Sequence, residues 1–286
     1  MTLLVVGRSG QVAQALQEAA AARGIALTAL GRPDIDLADP ATIDAALART
    51  APSAVINAAA YTAVDQAESD EAAAFALNAA GPGHLARACA AAGVPLVHIS
   101  TDYVFDGTAG RAYREDDEVA PQSAYGRTKA AGEEAVLAAG GRALIARTAW
   151  VYSPFGKNFV KTMLRLGAER DTLQVVDDQR GNPTSAADIA DALLGLVDQA
   201  AAWPEGGEIV HVAGTGETTW RDFAEAITAT LPHPPVVKGI ATADYPTPAR
   251  RPANSRLDTT RLKTRYGIEL PRWEDSLKAV LARLAA

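Results

Sequence analysis

Cysteine is almost absent from this chain of 286 residues: Cys89 stands alone. A single thiol closes no internal disulfide, so the fold must rest on its apolar core. Cys89 lies in an Ala-rich stretch and reads as a small apolar position on a helix, not a reactive thiol. Long apolar runs are missing too, so no segment spans a bilayer. The chain enters a strand-like run directly, with no basic region and cleavage site of a secretory leader. A cytoplasmic protein with no membrane partner is expected. Long basic stretches are also lacking and the net charge is −7. Nothing can track a phosphate backbone, and no nucleic-acid partner is expected. His84, His98, His211 and His233 are scattered without ligand spacing, and no metal site is expected. The run Glu115-Asp116-Asp117-Glu118 reads as a solvated acidic loop, and His98 as a structural residue inside a strand.

What is present alternates. Leu3 to Val6 is a short apolar run ending at Gly7, followed by a helix-favouring stretch over 11–23. Strand candidates recur at 25–30, 54–57, 94–100 and 143–147. Helices are predicted at 40–50, capped by Asp39, at 70–92 with crowding near Gly81-Pro82-Gly83, and at 125–139. The strands are apolar on both faces, which predicts an α/β fold with a Rossmann-like, doubly wound parallel sheet covered by helices. After residue 152 the rhythm loosens. Helices are predicted at 158–169, 184–202, 219–231 and 274–285, short strands at 173–176 and 208–212, and a proline-rich loop over 232–252. The division expected is a cofactor-binding domain over 1–152, with segments near 177–215 returning to it. A smaller C-terminal α/β region over 153–286 would be mainly the substrate-binding cap.

Three segments carry chemistry. Gly7-Arg8-Ser9-Gly10 lies between the first strand and first helix. Gly7 and Gly10 there let a pyrophosphate approach the free N–H groups of a helix start. The end of the second strand, Leu30-Gly31-Arg32, lacks the acidic residue that would bond a ribose 2′-hydroxyl. Arg32 suits a 2′-phosphate instead, or is a plain loop charge. NADPH is therefore the expected cofactor, with NADH as the alternative. Asp36 and Leu37 are placed to border adenine. The small residues after Asn57, through Ala59, Ala60, Tyr61 and Thr62, leave room for a cofactor or serve tight strand-to-helix packing. Thr101 and Asp102 end the fourth strand, and Tyr125-x-x-x-Lys129 follows. Alone, such a pair is also what an amphipathic helix shows. In this setting Tyr125 is a proton donor, Lys129 a cation that lowers its pKa, and Thr101 a hydroxyl for a carbonyl oxygen.

These residues resemble the extended short-chain dehydrogenase/reductases, and among them the dTDP-4-dehydrorhamnose reductase family. The resemblance rests on the glycine turn, on 57–65, 100–107 and Tyr125/Lys129. It continues through 147–152, 158–163, 177–184 and 250–257, over nearly the whole chain. It implies reduction of the C4 ketone of a dTDP-linked 4-keto-6-deoxy-L-sugar, supplying a nucleotide sugar for cell-wall polysaccharide. It implies that Gly10, Gln11 and Val12 border the pyrophosphate, and that Ala60, Tyr61 and Thr62 lie along the cofactor. Thr101 and Asp102 would touch the sugar, and Trp150 would pack on the substrate. Arg250, Arg251 and Arg256 become candidates for the diphosphate, with Asn158 as a weaker contact. Two departures stand out. Ala13 replaces a glycine. Ala15 replaces a glutamate that some members use for a magnesium-bridged dimer, so a monomer or weak homodimer is expected. Rival readings are another nucleotide-sugar 4-ketoreductase or epimerase, and a non-catalytic NADP-binding regulatory subunit.

Overall fold

The computed structural model describes residues 2–285. Its first half places strands β1 (Thr2–Val6), β2 (Ala26–Leu30), β3 (Ala54–Asn57), β4 (Leu96–Thr101) and β5 (Ala143–Thr148) between helices. These are α1 (Gln11–Ala22), α2 (Pro40–Thr50), α3 (Val64–Ala67), α4 (Glu71–Phe75), α5 (Gly81–Ala92) and α6 (Ala124–Ala138). The second half holds β6 (Val151–Tyr152), β7 (Thr172–Val176), β8 (Arg180–Gly181), β9 (Thr184–Ser185), β10 (Glu208–His211), β11 (Thr218–Thr219), β12 (Val236–Ile240) and β13 (Asn254–Ser255). Among them run α7 (Phe159–Glu169), α8 (Ala186–Val197), α9 (Trp220–Thr228), α10 (Thr260–Tyr266) and α11 (Trp273–Ala285).

The main sheet is parallel, in the order β10-β5-β4-β3-β1-β2. Successive side chains of β1 enter opposite cores. Leu3 and Val5 join α1 and α8 residues on one face, and Leu4 and Val6 join α2 and α5 residues on the other. Both faces must therefore be apolar, which is why the strands read as continuous runs. The chain leaves β1 for β2 on one side and returns to β3 on the other. The crevice at that switch opens above the C-terminal ends of β1 and β3. A separate core, with Tyr152, Val160, Phe223 and Trp273, holds the second region together.

Three sequence expectations are corrected. The segment 232–252 is not all loop: Val236–Ile240 pairs in parallel with Thr172–Val176. Three β-branched residues there find a partner strand far along the chain, which local prolines concealed. The irregularity in the 70–92 helix precedes the glycines, as a π-helical turn over Ala76–Ala80. Pro82 has no N–H to give to Asn78, four residues earlier, so the ladder shifts there. The helix expected at 184–202 ends at Val197, with a short 3-10 turn over Ala200–Ala202.

α6 is seated by two glycines. A Cβ on Gly132 would lie 2.0 Å from the Asn78 carbonyl oxygen, and one on Gly126 would lie 2.2 Å from that of Tyr103. With hydrogen in those places, α6 rests on the π turn and on the 3-10 turn Asp102–Val104. Ser123 caps the helix by accepting from Gly126 N at 3.1 Å. That seating fixes Tyr125 and Lys129 against the end of β4.

Candidate active site

Thr101 closes β4, and its hydroxyl accepts from Tyr103 N at 3.2 Å and donates to Asp102 Oδ1 at 3.0 Å. Asp102 is buried, and among the described residues its Oδ2 finds no hydrogen-bond partner. Burial pushes its carboxyl up to about 6, against the opposing pull of the Ser255 and Thr101 hydroxyls. Tyr125 follows in the first turn of α6, half-buried, with the Tyr103 ring edge-on at 5.5 Å. Lys129 lies one turn on, 1% exposed. Its Nζ donates to Ile99 O at 2.7 Å and lies 3.3 Å from His98 Nε2. Burial lowers Lys129 to about 8, with Glu133 opposing.

The expected lowering of the tyrosine by Lys129 is not what this arrangement does. Burial raises the Tyr125 phenol above its ordinary value, Asp102 raises it further, and Thr101 only partly opposes them. Lys129 spends its nearest donor on the β4 backbone. Tyr125 is thus held firmly protonated, as a proton donor must be before it acts.

At the switch point lies a cleft of about 490 Å³. Its wall includes Gly7, Gly10, Arg32, Asp36, Leu37, Ala59 and Ala60. Gly7 has φ +112°, and a Cβ there would sit 3.2 Å from the Ala58 carbonyl carbon. Only glycine suits that conformation and that approach. Gly10 precedes α1 with no side-chain cap, leaving the helix's first N–H groups free toward the cleft. Arg8 also lines it. It went unremarked in the sequence because a charged residue between two glycines looks like any turn residue.

Gln11, Val12, Tyr61 and Thr62, also expected along the cofactor, do not line this cleft. Val12 packs on the sheet core. The Gln11 Oε1 accepts from Ser153 Oγ at 2.8 Å and Asn158 Nδ2 at 3.0 Å. Tyr61 donates to Asp70 at 3.2 Å and packs in a small cluster with Tyr125, and Thr62 is exposed beside it.

A second cleft, of about 480 Å³, is bordered by Asp106, Thr108, Asp178, Tyr245, Arg250 and Arg251. Arg251 bonds Asp65 at 2.7 Å and also meets Tyr103, whose ring touches Tyr125. Tyr61, next to Ala60 of the first cleft, packs with Tyr125 against Ala67, Ala74 and Ala124. Packing thus links Tyr125 to neighbours of both clefts.

Two expected substrate contacts, Asn158 and Arg256, have partners within the protein. Asn158 Nδ2 donates to Gln11, Ser153 and Phe155, while its Oδ1 caps α7 at Lys161 N. Arg256 is held by Glu217, Asn254 and Gly110. Trp150 stacks on Trp220 with centroids 3.6 Å apart and has a left-handed φ of 48°. Its indole covers Gly181, where a Cβ would meet it at 2.4 Å.

The acidic run 115–118 is likewise not wholly solvated. Glu115 is buried and accepts from His211 N at 3.1 Å, Asp116 pairs with Arg261, and Asp117 pairs with Arg111. Cys89 is buried, and burial pushes its thiol up to about 12. Among the described residues, no three His, Cys, Asp or Glu side chains gather as a metal site would. Among the same residues, no helix is long and apolar enough to cross a membrane.

A glycine-lined crevice at the switch point, with a Tyr–Lys pair one helical turn apart at the end of β4, is the working layout of a short-chain dehydrogenase/reductase, and fold and site put the chain in that class. The comparison with known proteins is narrower. The family model described as RmlD substrate binding domain matches residues 1–286. A dTDP-4-dehydrorhamnose reductase of Sinorhizobium fredii is 45% identical, over 98% of this chain and 97% of that protein. The crystal structure of a dTDP-4-dehydrorhamnose reductase from Clostridium acetobutylicum superposes with TM-score 0.94 at 38% identity, covering 100% of both chains. That from Bacillus anthracis, in complex with NADP, gives 0.93 at 33% identity, over 99% of this chain and 100% of the other. The chain belongs to the dTDP-4-dehydrorhamnose reductase family.

Proposed function

We infer that this protein reduces the C4 ketone of dTDP-4-dehydro-beta-L-rhamnose to dTDP-L-rhamnose, using NADPH, as a step in nucleotide-sugar synthesis. The observation that carries the reading is family membership over the whole chain. An intact Thr101, Tyr125 and Lys129 supports a working enzyme over a regulatory subunit, since a pure binding module needs no proton donor.

The crevice suits a dinucleotide, because its glycine turn leaves a Cβ-free approach and uncapped N–H groups. Arg32, at the end of a strand with no acid, favours a 2′-phosphate and hence NADPH over NADH. When bound, the dihydronicotinamide supplies the hydride for the sugar C4. Tyr125 gives its proton to the oxygen as negative charge builds there. Thr101 turns its hydroxyl from Asp102 to the same oxygen and shares that charge. Lys129 holds the nicotinamide ribose. Asp102 and Trp150 border the sugar. Arg250 and Arg251, on the second cleft, neutralise the diphosphate.

Residues 153–286 act mainly as the substrate wall, while β10 and α8 return to the cofactor side. A monomer or weak homodimer fits Ala15, which is 3% exposed in the core cluster that α1 shares with α8 and offers no metal ligand.

The test is NADPH oxidation with dTDP-4-keto-6-deoxy sugar made in place from dTDP-glucose by a dehydratase and a 3,5-epimerase. Consumption should require the epimerase and fall by about 10²–10⁴-fold in Tyr125→Phe. Consumption without the epimerase moves the assignment to another 4-ketoreductase. No consumption by folded, NADPH-binding protein sinks the catalytic reading.

A further inference from the structure

Lys129 meets one hydrogen-bond donor more than an ammonium can accommodate. His98 is fully buried within β4, and Asn57, at the end of neighbouring β3, is 1% exposed. The sense of the Asn57 amide is fixed by the backbone, because its Oδ1 accepts from Ala59 N at 3.1 Å. Reversing the amide would set its NH₂ against that N–H. So Nδ2 is the atom 3.1 Å from His98 Nδ1. An amide NH₂ only donates, which makes His98 Nδ1 an acceptor. A neutral imidazole carries one N–H, so the proton resides on Nε2. That N–H faces Lys129 Nζ at 3.3 Å.

An ammonium has three donors and no lone pair, and against an N–H it stands donor to donor. A neutral amine has a lone pair for the His98 N–H and still donates to Ile99 O. Protonating His98 at Nδ1, as the other tautomer or as an imidazolium, would oppose the Asn57 NH₂.

We propose that His98 is a positioning residue: locked by Asn57 as the Nε2–H tautomer, it selects the unprotonated amine of Lys129 in the cofactor-free enzyme. It thereby sets the pH at which that lysine becomes a cation. The proposal rests on the reading of Lys129 as part of the reductive site, though its hydrogen-bond geometry does not.

Burial acts on Lys129 in the same direction. Glu133, one turn on, favours the cation, but Arg147 holds both its oxygens at 2.9 and 2.6 Å. The other ionisable groups on elements packed against α6 are turned elsewhere. Asp65 of α3 bonds Arg251, Glu71 of α4 bonds Arg127, and Asp102 accepts from Thr101. His84, Arg87 and Cys89 of α5, and Tyr103, form no hydrogen bond to Lys129 among the described residues.

The test is a long-range proton–nitrogen spectrum of the ¹⁵N-labelled, cofactor-free enzyme, with the His98 ring assigned by comparison with His98→Gln. Nε2 should carry the proton and Nδ1 should not, unchanged through the neutral range. A protonated Nδ1 or an imidazolium overturns the proposal, and this reading needs no turnover, so it stands apart from any failure of the reductase assignment.

The second arm is Asn57→Asp, whose carboxylate accepts from Ala59 N and from Nδ1–H and so makes Nε2 an acceptor. The lysine limb of the kcat/KM profile should then move up by about one pH unit or more, a tenfold gain in proton affinity. A reversed tautomer with an unmoved limb marks His98 as merely structural and refutes the proposal. Should Asn57→Asp not fold, the Lys129 Nζ signal of the unaltered enzyme decides: an amine supports the proposal, and an ammonium throughout the neutral range overturns it.

Discussion

One methyl group added at Gly126 would test how the site is held. A Cβ there would lie 2.2 Å from Tyr103 O and 3.0 Å from Pro121 Cβ. Carbon–oxygen contacts settle near ~3.3 Å, so α6 and the 3-10 turn must part by about 1 Å. Alanine is favoured over glycine inside a helix by about 1 kcal/mol, which works the other way. Overpacking costs about 1–3 kcal/mol, so the expected net loss is about 0–2 kcal/mol. Activity should suffer more. Tyr125 immediately precedes Gly126, and its ring rests on Tyr103. Displacement therefore moves the phenol from Thr101, and a misplacement near 1 Å lowers kcat by about 10²-fold. Urea unfolding and initial rates of NADPH oxidation read the two effects separately. Gly110→Ala is the control, since no atom lies within 4 Å of its added Cβ. A Gly126→Ala protein as stable as the parent, with unchanged kcat, would refute the seating of α6 on that turn.

Other expectations follow from single side chains. Glu133→Gln leaves the Arg147 guanidinium, 1% exposed, without its charge partner and should cost about 3–5 kcal/mol in urea unfolding. A loss below about 1 kcal/mol would mean that the pair is not closed in solution. Asp102 is raised from 3.8 to about 6 by burial, so the fold favours its protonated form. Stability should fall as pH rises from about 4 to about 6 and then stay low, by about 3 kcal/mol for this group. Asp102→Asn should remove that fall, and an identical pH dependence in the variant would contradict it. Arg32→Ala should raise KM for NADPH about tenfold while leaving KM for NADH unchanged, and parallel changes in both would count against a 2′-phosphate contact.

The alternation of strands and helices through the first half was legible because each element carries its own periodicity. Leu3–Val6 is apolar on both faces since both faces are covered, and Asp39 before Pro40 marks a helix start that the fold uses, with Asp39 accepting from Ala41 N. The Tyr125–Lys129 spacing was legible for the same reason, as one helical turn places both side chains along one stripe. β12 escaped notice because its partner, β7, is remote in sequence. Asn158 and Arg256 looked like free polar groups for want of a way to see their partners.

Composition and local pattern were enough for the α/β class, the glycine turn and the spacing of the reactive pair, since these depend on residues a few positions apart. Which nitrogen of His98 holds a proton, which arginines remain open to a ligand and how α6 meets the 3-10 turn depend on atoms brought together across the chain. Gln11 and Asn158 are 147 residues apart in sequence, yet 3.0 Å separates their side chains. A polar side chain's role is set by the donors and acceptors that surround it, and only folding assembles those.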